Sequence, residues 1–298
     1  MEFRDSMFLF ANDNRPRPAE LILAGYFAYT AALSFLFPLA SPIRLQVIGT
    51  SLVALTALYR LGRFPARFVP EILRTTLPLP GVLLAYQQIG LFAQPQSSHS
   101  LERSWVYWDR LLLSDWGLTQ AIDSTGALLP GALELLYLLT YAAAPAALAI
   151  LAASGRLVRS DRLLACFAAS AVSAYALYPF FPSEPPRTIF PGELASSVDT
   201  VFRQVNWWIL GKAGIHTSVF PSGHVASAFG AGIGLLLALP ERKVYGIALI
   251  VVGAGIAVAT VYGRYHYAVD ALAGLLVACL ASLLCWALFR RWNGRASA

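Results

Sequence analysis

The stretch VYGIALIVVGAGIAVATVY, residues 244–262, contains no charged residue. Because a helix needs about 20 predominantly apolar residues to cross a bilayer, this stretch predicts a membrane-spanning helix. Charged residues make up 13% of the 298-residue chain, against about 25% in soluble globular proteins, and the mean hydropathy is +0.61. The apolar residues form long runs and do not alternate with polar ones, which excludes a soluble enzyme, a disordered chain and an outer-membrane barrel. The composition therefore predicts an all-α, polytopic membrane helix bundle.

Similar apolar runs elsewhere in the chain raise the predicted number of transmembrane helices to about eight. The predicted spans are Leu21–Leu39, Leu45–Tyr59, about Thr75–Ala93, about Leu128–Leu151, Leu163–Phe181, Phe220–Leu239, Val244–Tyr262 and about His266–Phe289. Residues 1–70 are expected to form a cytoplasmic tail and two added spans. Residues 71–298 are expected to form a catalytic core of six helices.

The 22 Lys and Arg residues are divided unequally between the two sides that eight spans define. The side opposite the termini receives seven of them: Arg44, Arg103, Arg110, Arg187, Arg203, Lys212 and Arg264. Basic residues in short loops favour the cytoplasmic side, so both termini are predicted to be cytoplasmic. The protein would lie in a bacterial inner membrane or a plasma membrane. The net charge of +6 then reflects topology, and no nucleic-acid partner is expected.

The first of two long outer loops has the pattern of an amphipathic helix at about residues 101–116. Its apolar residues recur at spacings of four, three, four and four: Leu101, Trp105, Trp108, Leu112 and Trp116. Such a helix, rich in Trp, is typical of the headgroup level of a membrane. It could simply cover the outer end of the bundle. Alternatively, it could form a lip that guides a lipid substrate sideways into a site.

Four stretches that carry polar residues are predicted to meet at the outer face, because spans five and seven end there and spans six and eight begin there. His266 and Asp270 have i,i+4 spacing and share a helical face. An aspartate that accepts the Nδ1–H of a histidine leaves Nε2 free as a nucleophile or base. An ionisable residue at the margin of a span is by default a functional hypothesis. The pair could alternatively only cap the eighth helix.

The outer ends of spans five to seven supply the other candidates. Ser222 and Gly223, at the start of span six, are expected to present backbone N–H groups to an anion, and His224 could donate a proton. Arg187 follows two prolines, and a guanidinium suits two-oxygen contact with phosphate. Arg264 lies beside His266. Three further charges, Glu184, Arg203 and Lys212, are expected to be solvated, and a role for His216 stays open.

These residues carry a resemblance to a known family. FPSGH (220–224) and GRYHYAVD (263–270) resemble the second and third motifs of the type 2 phosphatidic acid phosphatase superfamily, which comprises membrane lipid phosphatases and phosphotransferases built on six helices. YPFFPSEPPR (178–187) resembles the first motif as found in the inositol phosphorylceramide synthase branch. The resemblance covers spans three or four to eight, about two thirds of the chain.

The resemblance implies a role for each matched residue. His266 matches the nucleophile that becomes phosphohistidine, Asp270 the carboxylate that orients it, and His224 the acid that protonates the leaving oxygen. Arg187 and Arg264 match phosphate-binding positions, and Ser222 and Gly223 line the phosphate cradle. Two departures favour the phosphotransferase branch. No Lys precedes Arg187 in its loop, and Arg264 comes two residues before His266, whereas the common phosphatase pattern has six.

The predicted reaction is a two-step phosphotransfer from a lipid phosphate ester, with membrane lipids as partners. Water as acceptor would make the enzyme a phosphatase, and an inositol, glycerol or ceramide hydroxyl would make it a transferase. No cofactor and no metal are expected, because a histidine nucleophile with two arginines does not need one. Three other classes are alternatives: an anionic-lipid carrier or scramblase that uses the arginines, a zinc site of His216, His224, His266 and Asp270, and an intramembrane serine protease that uses Ser222.

Overall fold

The structure is a computed structural model that describes residues 16–61, 68–92, 98–215 and 219–296. All regular elements in these ranges are helical, which confirms the predicted all-α class. The helices are α1 (Pro18–Leu33), α2 (Ser41–Leu61), α3 (Phe68–Thr76), α4 (Pro78–Ile89), α5 (Ser100–Asp109), α6 (Leu118–Asp123), α7 (Leu128–Leu138), α8 (Thr140–Ala153), α9 (Ser160–Leu177), α10 (Pro186–Ile189), α11 (Val201–Ala213), α12 (Gly223–Ala238), α13 (Lys243–Tyr262) and α14 (Ala268–Ala296). A π-helical turn, Arg110–Asp115, continues α5.

Several of these helices are long and apolar enough to cross a membrane. Within the described ranges four segments meet that condition: Ser41–Leu61, Leu157–Phe180, Pro240–Tyr262 and Ala268–Arg290. The pair α7 and α8 meets it as one segment bent by 66°, and α12 is a shorter apolar helix. The chain is therefore an integral membrane protein with four or five candidate spans. The count of eight stays a prediction.

Two predicted spans are interrupted in the structure. The third, about Thr75–Ala93, is divided at Leu77 between α3 and α4, and its last residue lies outside the described ranges. Pro78 begins α4, and proline cannot donate the N–H that a continuous helix would need. The fourth bends at Leu139, and Pro145 in the second turn of α8 removes a further backbone hydrogen bond close to the bend.

Helix α9 is buried along most of its length at the centre of the bundle, where α12 lies close against it. Gly230 and Gly234 of α12 permit this close packing. A Cβ atom at Gly230 would come within 2.6 Å of the Ser170 hydroxyl, and one at Gly234 within 2.8 Å of the Leu163 carbonyl oxygen. The close contact fixes the N-terminus of α12, and therefore His224, at one end of the bundle.

The N-terminal helices are joined to the core by polar contacts. The Tyr29 hydroxyl of α1 donates to the Ala176 carbonyl near the end of α9, at 2.8 Å. At the other end of α1, Glu20 pairs with Arg74 at 2.8 and 2.9 Å. The Glu20–Arg74 pair therefore lies at the end of the bundle where α9 begins, away from His224. The division into residues 1–70 and 71–298 stays a prediction.

Candidate active site

The predicted site residues meet at one end of the bundle, where α9 and α13 end and α12 and α14 begin. Backbone hydrogen bonds connect the loops that carry them. The Arg187 N–H donates to the Arg264 carbonyl at 3.3 Å, and the Ser222 N–H donates to the Asp270 carbonyl at 2.9 Å. The structure thus brings together the three sequence motifs that lie far apart along the chain.

The two histidines are in direct contact. His224 Nδ1 lies 3.3 Å from His266 Nε2, a hydrogen-bond distance between two ring nitrogens whose donor and acceptor roles depend on the tautomers. His224 begins the first turn of α12, where the Ser222 hydroxyl caps the helix by accepting from the Val225 N–H at 3.3 Å. The Tyr137 ring packs at 5.2 Å from the His224 ring. The contact places an imidazole of α12 against an imidazole of the loop that precedes α14.

Asp270 lies behind His266 on the side away from His224. Its Oδ2 is 3.4 Å from His266 Nδ1, and the same oxygen accepts from the Tyr267 N–H at 2.9 Å. Asp270 and His266 are both buried. Nδ1 of His266 makes no hydrogen bond within the described ranges, but the nearby carboxylate favours the tautomer with the proton on Nδ1, which leaves the lone pair of Nε2 directed towards His224.

Arg187 is half-buried at the start of the short helix α10. Its guanidinium carbon lies 5.5 Å from the centre of the Tyr265 ring, a distance suited to a cation–π contact. Among the described residues no carboxylate is paired with it. The guanidinium therefore keeps hydrogen-bond donors for an anionic ligand.

Arg264 is buried and has a positive φ of 59°, which is uncommon for a residue other than glycine. Its Nη1 forms an ion pair with Asp109. Its Nε and Nη2 are buried and have no hydrogen-bond partner within the described ranges. One edge of the guanidinium is thus held by the protein, and the other edge is left for a further acceptor.

The prediction that Ser222 and Gly223 present free backbone N–H groups to an anion is wrong. The Ser222 N–H is bound to Asp270, and the Gly223 N–H donates to the Tyr178 hydroxyl at 3.3 Å. A Cβ atom on Gly223 would lie 2.5 Å from the Tyr175 ring. The glycine therefore lets α12 pack against α9.

The predicted helix at 101–116 is present as α5 and its π-helical turn, but its protein-facing side differs from the predicted apolar stripe. Trp108 and Trp116 are exposed. The buried stripe lies one residue further along and comprises Glu102, Val106, Asp109 and Leu113. The two acids could be recognised from their seven-residue spacing, which places both on one helical face.

Asp109 contacts the third motif directly, and the sequence alone did not predict this contact. Its Oδ1 accepts from the Ala268 N–H at 2.8 Å, and its Oδ2 pairs with Arg264. Burial raises the pKa of the Asp109 carboxyl, and the Arg264 guanidinium acts in the opposite direction. A carboxylate is stable in this buried place only because both oxygens have partners.

The prediction that Arg203 is a solvated charge is wrong, because Arg203 is buried and forms an ion pair with Glu134. Its Nε donates to Glu134 Oε1 at 2.8 Å. The Asn206 side chain and the Tyr265 hydroxyl donate to Glu134 Oε2 at 2.8 and 2.7 Å. An acid inside a predicted span could have drawn attention to Glu134. This cluster anchors Tyr265, the residue between Arg264 and His266.

The remaining candidates add little to the site. Lys212 is exposed, as expected for a solvated charge. His216 lies outside the described residues. Within the described ranges no group of three or more His, Cys, Asp or Glu side chains could hold a metal ion.

A model of the PAP2 superfamily matches residues 104–284, more than half of the chain and all seven predicted site residues. The chain belongs to the PAP2 superfamily. A PA-phosphatase related-family protein of Dictyostelium discoideum is 47% identical over 58 residues, which are 20% of this chain and 10% of that protein. The chain thus aligns with about a tenth of the length of this curated relative. No solved structure matches the chain significantly.

The inositol phosphorylceramide synthase branch, which the first motif resembles, is not distinguished by these matches.

Proposed function

We propose that this PAP2 protein is an integral-membrane lipid phosphotransferase or phosphatase that works through a phosphohistidine at His266. The observation that carries the proposal is the alignment of Asp270, His266 and His224. Asp270 is 3.4 Å from one ring nitrogen of His266, and His224 is 3.3 Å from the other. This order of carboxylate, nucleophile and proton donor is the arrangement that nucleophilic catalysis requires.

In the first step, Nε2 of His266 attacks the phosphorus of a lipid phosphate ester. The new N–P bond forms as the P–O bond to the leaving alcohol breaks, and His224 in its imidazolium form donates a proton to the departing oxygen and becomes neutral. General acid catalysis of this kind is worth about 10²–10⁴ in rate. Because His224 Nδ1 lies 3.3 Å from His266 Nε2, the phosphoryl group has to separate the two rings when it binds between them.

The arginines supply the positive charge that the transition state needs. Arg187 has no carboxylate partner within the described ranges, and Arg264 keeps its Nε and Nη2 unpartnered. Together they can bind the equatorial oxygens of the phosphoryl group, on which charge is spread during transfer. No step of this chemistry requires a metal ion.

In the second step, His224 acts as base and takes the proton of an acceptor, whose oxygen attacks the phosphohistidine and releases His266. The first-motif resemblance and the short spacing between Arg264 and His266 favour an alcohol acceptor, as in headgroup transfer of the inositol phosphorylceramide synthase type. Water as acceptor gives a simple lipid phosphatase. The distribution of basic residues supports a site on the extracytoplasmic side and cytoplasmic termini.

The test is a mass-spectrometric product profile of the purified protein with phosphatidic acid, phosphatidylinositol and ceramide. Free phosphate and diacylglycerol from phosphatidic acid identify water as the acceptor. A new phosphodiester lipid with little free phosphate identifies headgroup transfer. Product formation that persists unchanged in His266→Ala contradicts the proposal in both forms.

A further inference from the structure

Helix α5 contacts all three loops that carry the site motifs. Glu102 Oε1 accepts from the Glu184 N–H at 3.0 Å, in the loop that leads to Arg187. The Trp105 ring stacks on Phe220, the first residue of the second motif, with ring centres 5.0 Å apart. Asp109 contacts the third motif. These contacts lie on successive turns of one short helix, so its position and those of the loops depend on each other.

The contacts of Asp109 divide the Arg264 guanidinium into two edges. Asp109 binds Nη1, while Nε and Nη2 are buried without a partner within the described ranges. The Nε–Nη2 edge is one of the edges with which a guanidinium binds two oxygens of a phosphate. The second oxygen of Asp109 accepts from the Ala268 N–H, at the start of the helix that contains Asp270.

We propose that Asp109 is a positioning residue that directs the Nε–Nη2 edge of Arg264 towards the reacting phosphate. Through the Ala268 N–H it also holds the start of α14, two residues before Asp270. This inference rests on the proposed function and assigns to α5 a role in the chemistry, beyond covering the site or guiding lipid.

Substitution of Asp109 by asparagine keeps its contact with the Ala268 N–H and disrupts its contact with Arg264. In Asp109→Asn the amide oxygen can still accept from the Ala268 N–H. The amide NH₂ then faces Arg264 Nη1, donor against donor, so the guanidinium loses its fixed orientation. The variant also removes a negative charge close to the phosphate, which favours binding of an anionic substrate. We therefore expect kcat to fall by about 10- to 100-fold, the scale of a misplacement of about 1 Å, while KM does not rise.

Two further variants distinguish positioning from a merely structural role. In an Arg264→Gln background, Asp109→Asn should cause no further loss of kcat, because residues that act as a unit are not additive. Glu20→Gln is the matched control, since Glu20 is a buried carboxylate that is paired with Arg74 at the other end of the bundle. It should lower the thermal unfolding midpoint and leave kcat and KM unchanged.

The experiment measures kcat and KM on the full chain in detergent micelles, with phosphatidic acid and phosphatidylinositol as substrates. If the wild type and Glu20→Gln turn over neither lipid, the proposed function fails and the inference fails with it. If both are active and Asp109→Asn has the kcat of Glu20→Gln, only the positioning role is overturned. An additional loss of kcat in the Arg264→Gln background also overturns it.

Discussion

His224 Nδ1 lies 3.3 Å from His266 Nε2, although 42 residues separate the two histidines in the chain. His224 lies in the first turn of α12 and His266 lies just before α14, and the backbone hydrogen bond from Ser222 to Asp270 joins the same two helices. The pair is therefore built into the packing of the bundle. Its geometry suits transfer of a phosphoryl group to one imidazole with proton donation by the other.

Removal of the proposed nucleophile should abolish turnover. His266→Ala leaves no group to attack phosphorus, and we expect a loss of at least about 10³-fold in kcat with a folded protein. Initial rates and thermal unfolding of the purified variant provide the measurement. Arg162→Ala, near the start of α9 at the other end of the bundle, is the control and should be close to wild type. A large loss of kcat in Arg162→Ala would mean that the active site lies at the end of the bundle where α9 begins.

Asp270→Asn tests whether the carboxylate holds the reactive tautomer of His266. The amide oxygen can still accept from the Tyr267 N–H, so the helix start is kept while the negative charge is lost. We expect kcat to fall by about 10²-fold or more with little change in KM, because the charge matters most when His266 is attacking. Steady-state kinetics on a lipid phosphate ester give both constants. A kcat of Asp270→Asn equal to that of the wild type would refute this role of Asp270.

Arg187 is expected to bind the phosphoryl group, since its guanidinium lies over the Tyr265 ring without a carboxylate partner in the described ranges. Arg187→Gln should lower kcat/KM by about 10²-fold, and Arg187→Lys should recover only part of it, because lysine lacks the two-donor edge. Lys212→Gln, an exposed cation on α11, serves as the control. Full activity of Arg187→Gln would remove this arginine from the site.

The Glu134 cluster predicts a stability effect. Glu134→Ala leaves Arg203 buried without its carboxylate, which should cost about 3–5 kcal/mol in the free energy of unfolding. Tyr265→Phe keeps the ring beside Arg187 and loses one hydrogen bond to Glu134, which should cost about 1–2 kcal/mol. Denaturation of the two variants in detergent ranks these effects. A smaller loss for Glu134→Ala than for Tyr265→Phe would contradict the proposed order.

Turnover should be independent of added metal. The arginines supply the charge that a metal ion would otherwise provide, and His266 needs no metal-activated water to attack phosphorus. We expect treatment with EDTA to leave kcat unchanged. Loss of activity that Zn²⁺ restores would favour a zinc site that includes His216, His224, His266 and Asp270.

The all-α class and the pairing of His266 with Asp270 were predictable from sequence because their signals are local, whereas the approach of His224 followed from the predicted order of the spans. Apolar runs predict membrane helices, and the His-x-x-x-Asp spacing places two side chains on one helical face. The number of spans does not follow from hydropathy alone, since prolines such as Pro78 and Pro145 break apolar runs into shorter helices.

The buried ion pairs were not predictable, because their partners are far apart in the chain. Asp109 and Arg264 are separated by 155 residues, and Glu134 and Arg203 by 69. The apolar stripe of α5 predicted which residues would form a helix. It did not predict that the bundle buries the neighbouring stripe, which contains Glu102 and Asp109. Burial of these two acids depends on their distant partners, which are Arg264 and the backbone N–H groups of Glu184 and Ala268.

The most direct test of the central claim is to trap the covalent intermediate. The protein is mixed with phosphatidic acid or phosphatidylinositol that carries a radiolabelled phosphate, quenched in base during turnover, digested and mapped by mass spectrometry. We predict label on the peptide that contains His266, stable in base, lost in acid and absent from His266→Ala. Turnover without label on His266, or with label on another residue, would contradict the mechanism.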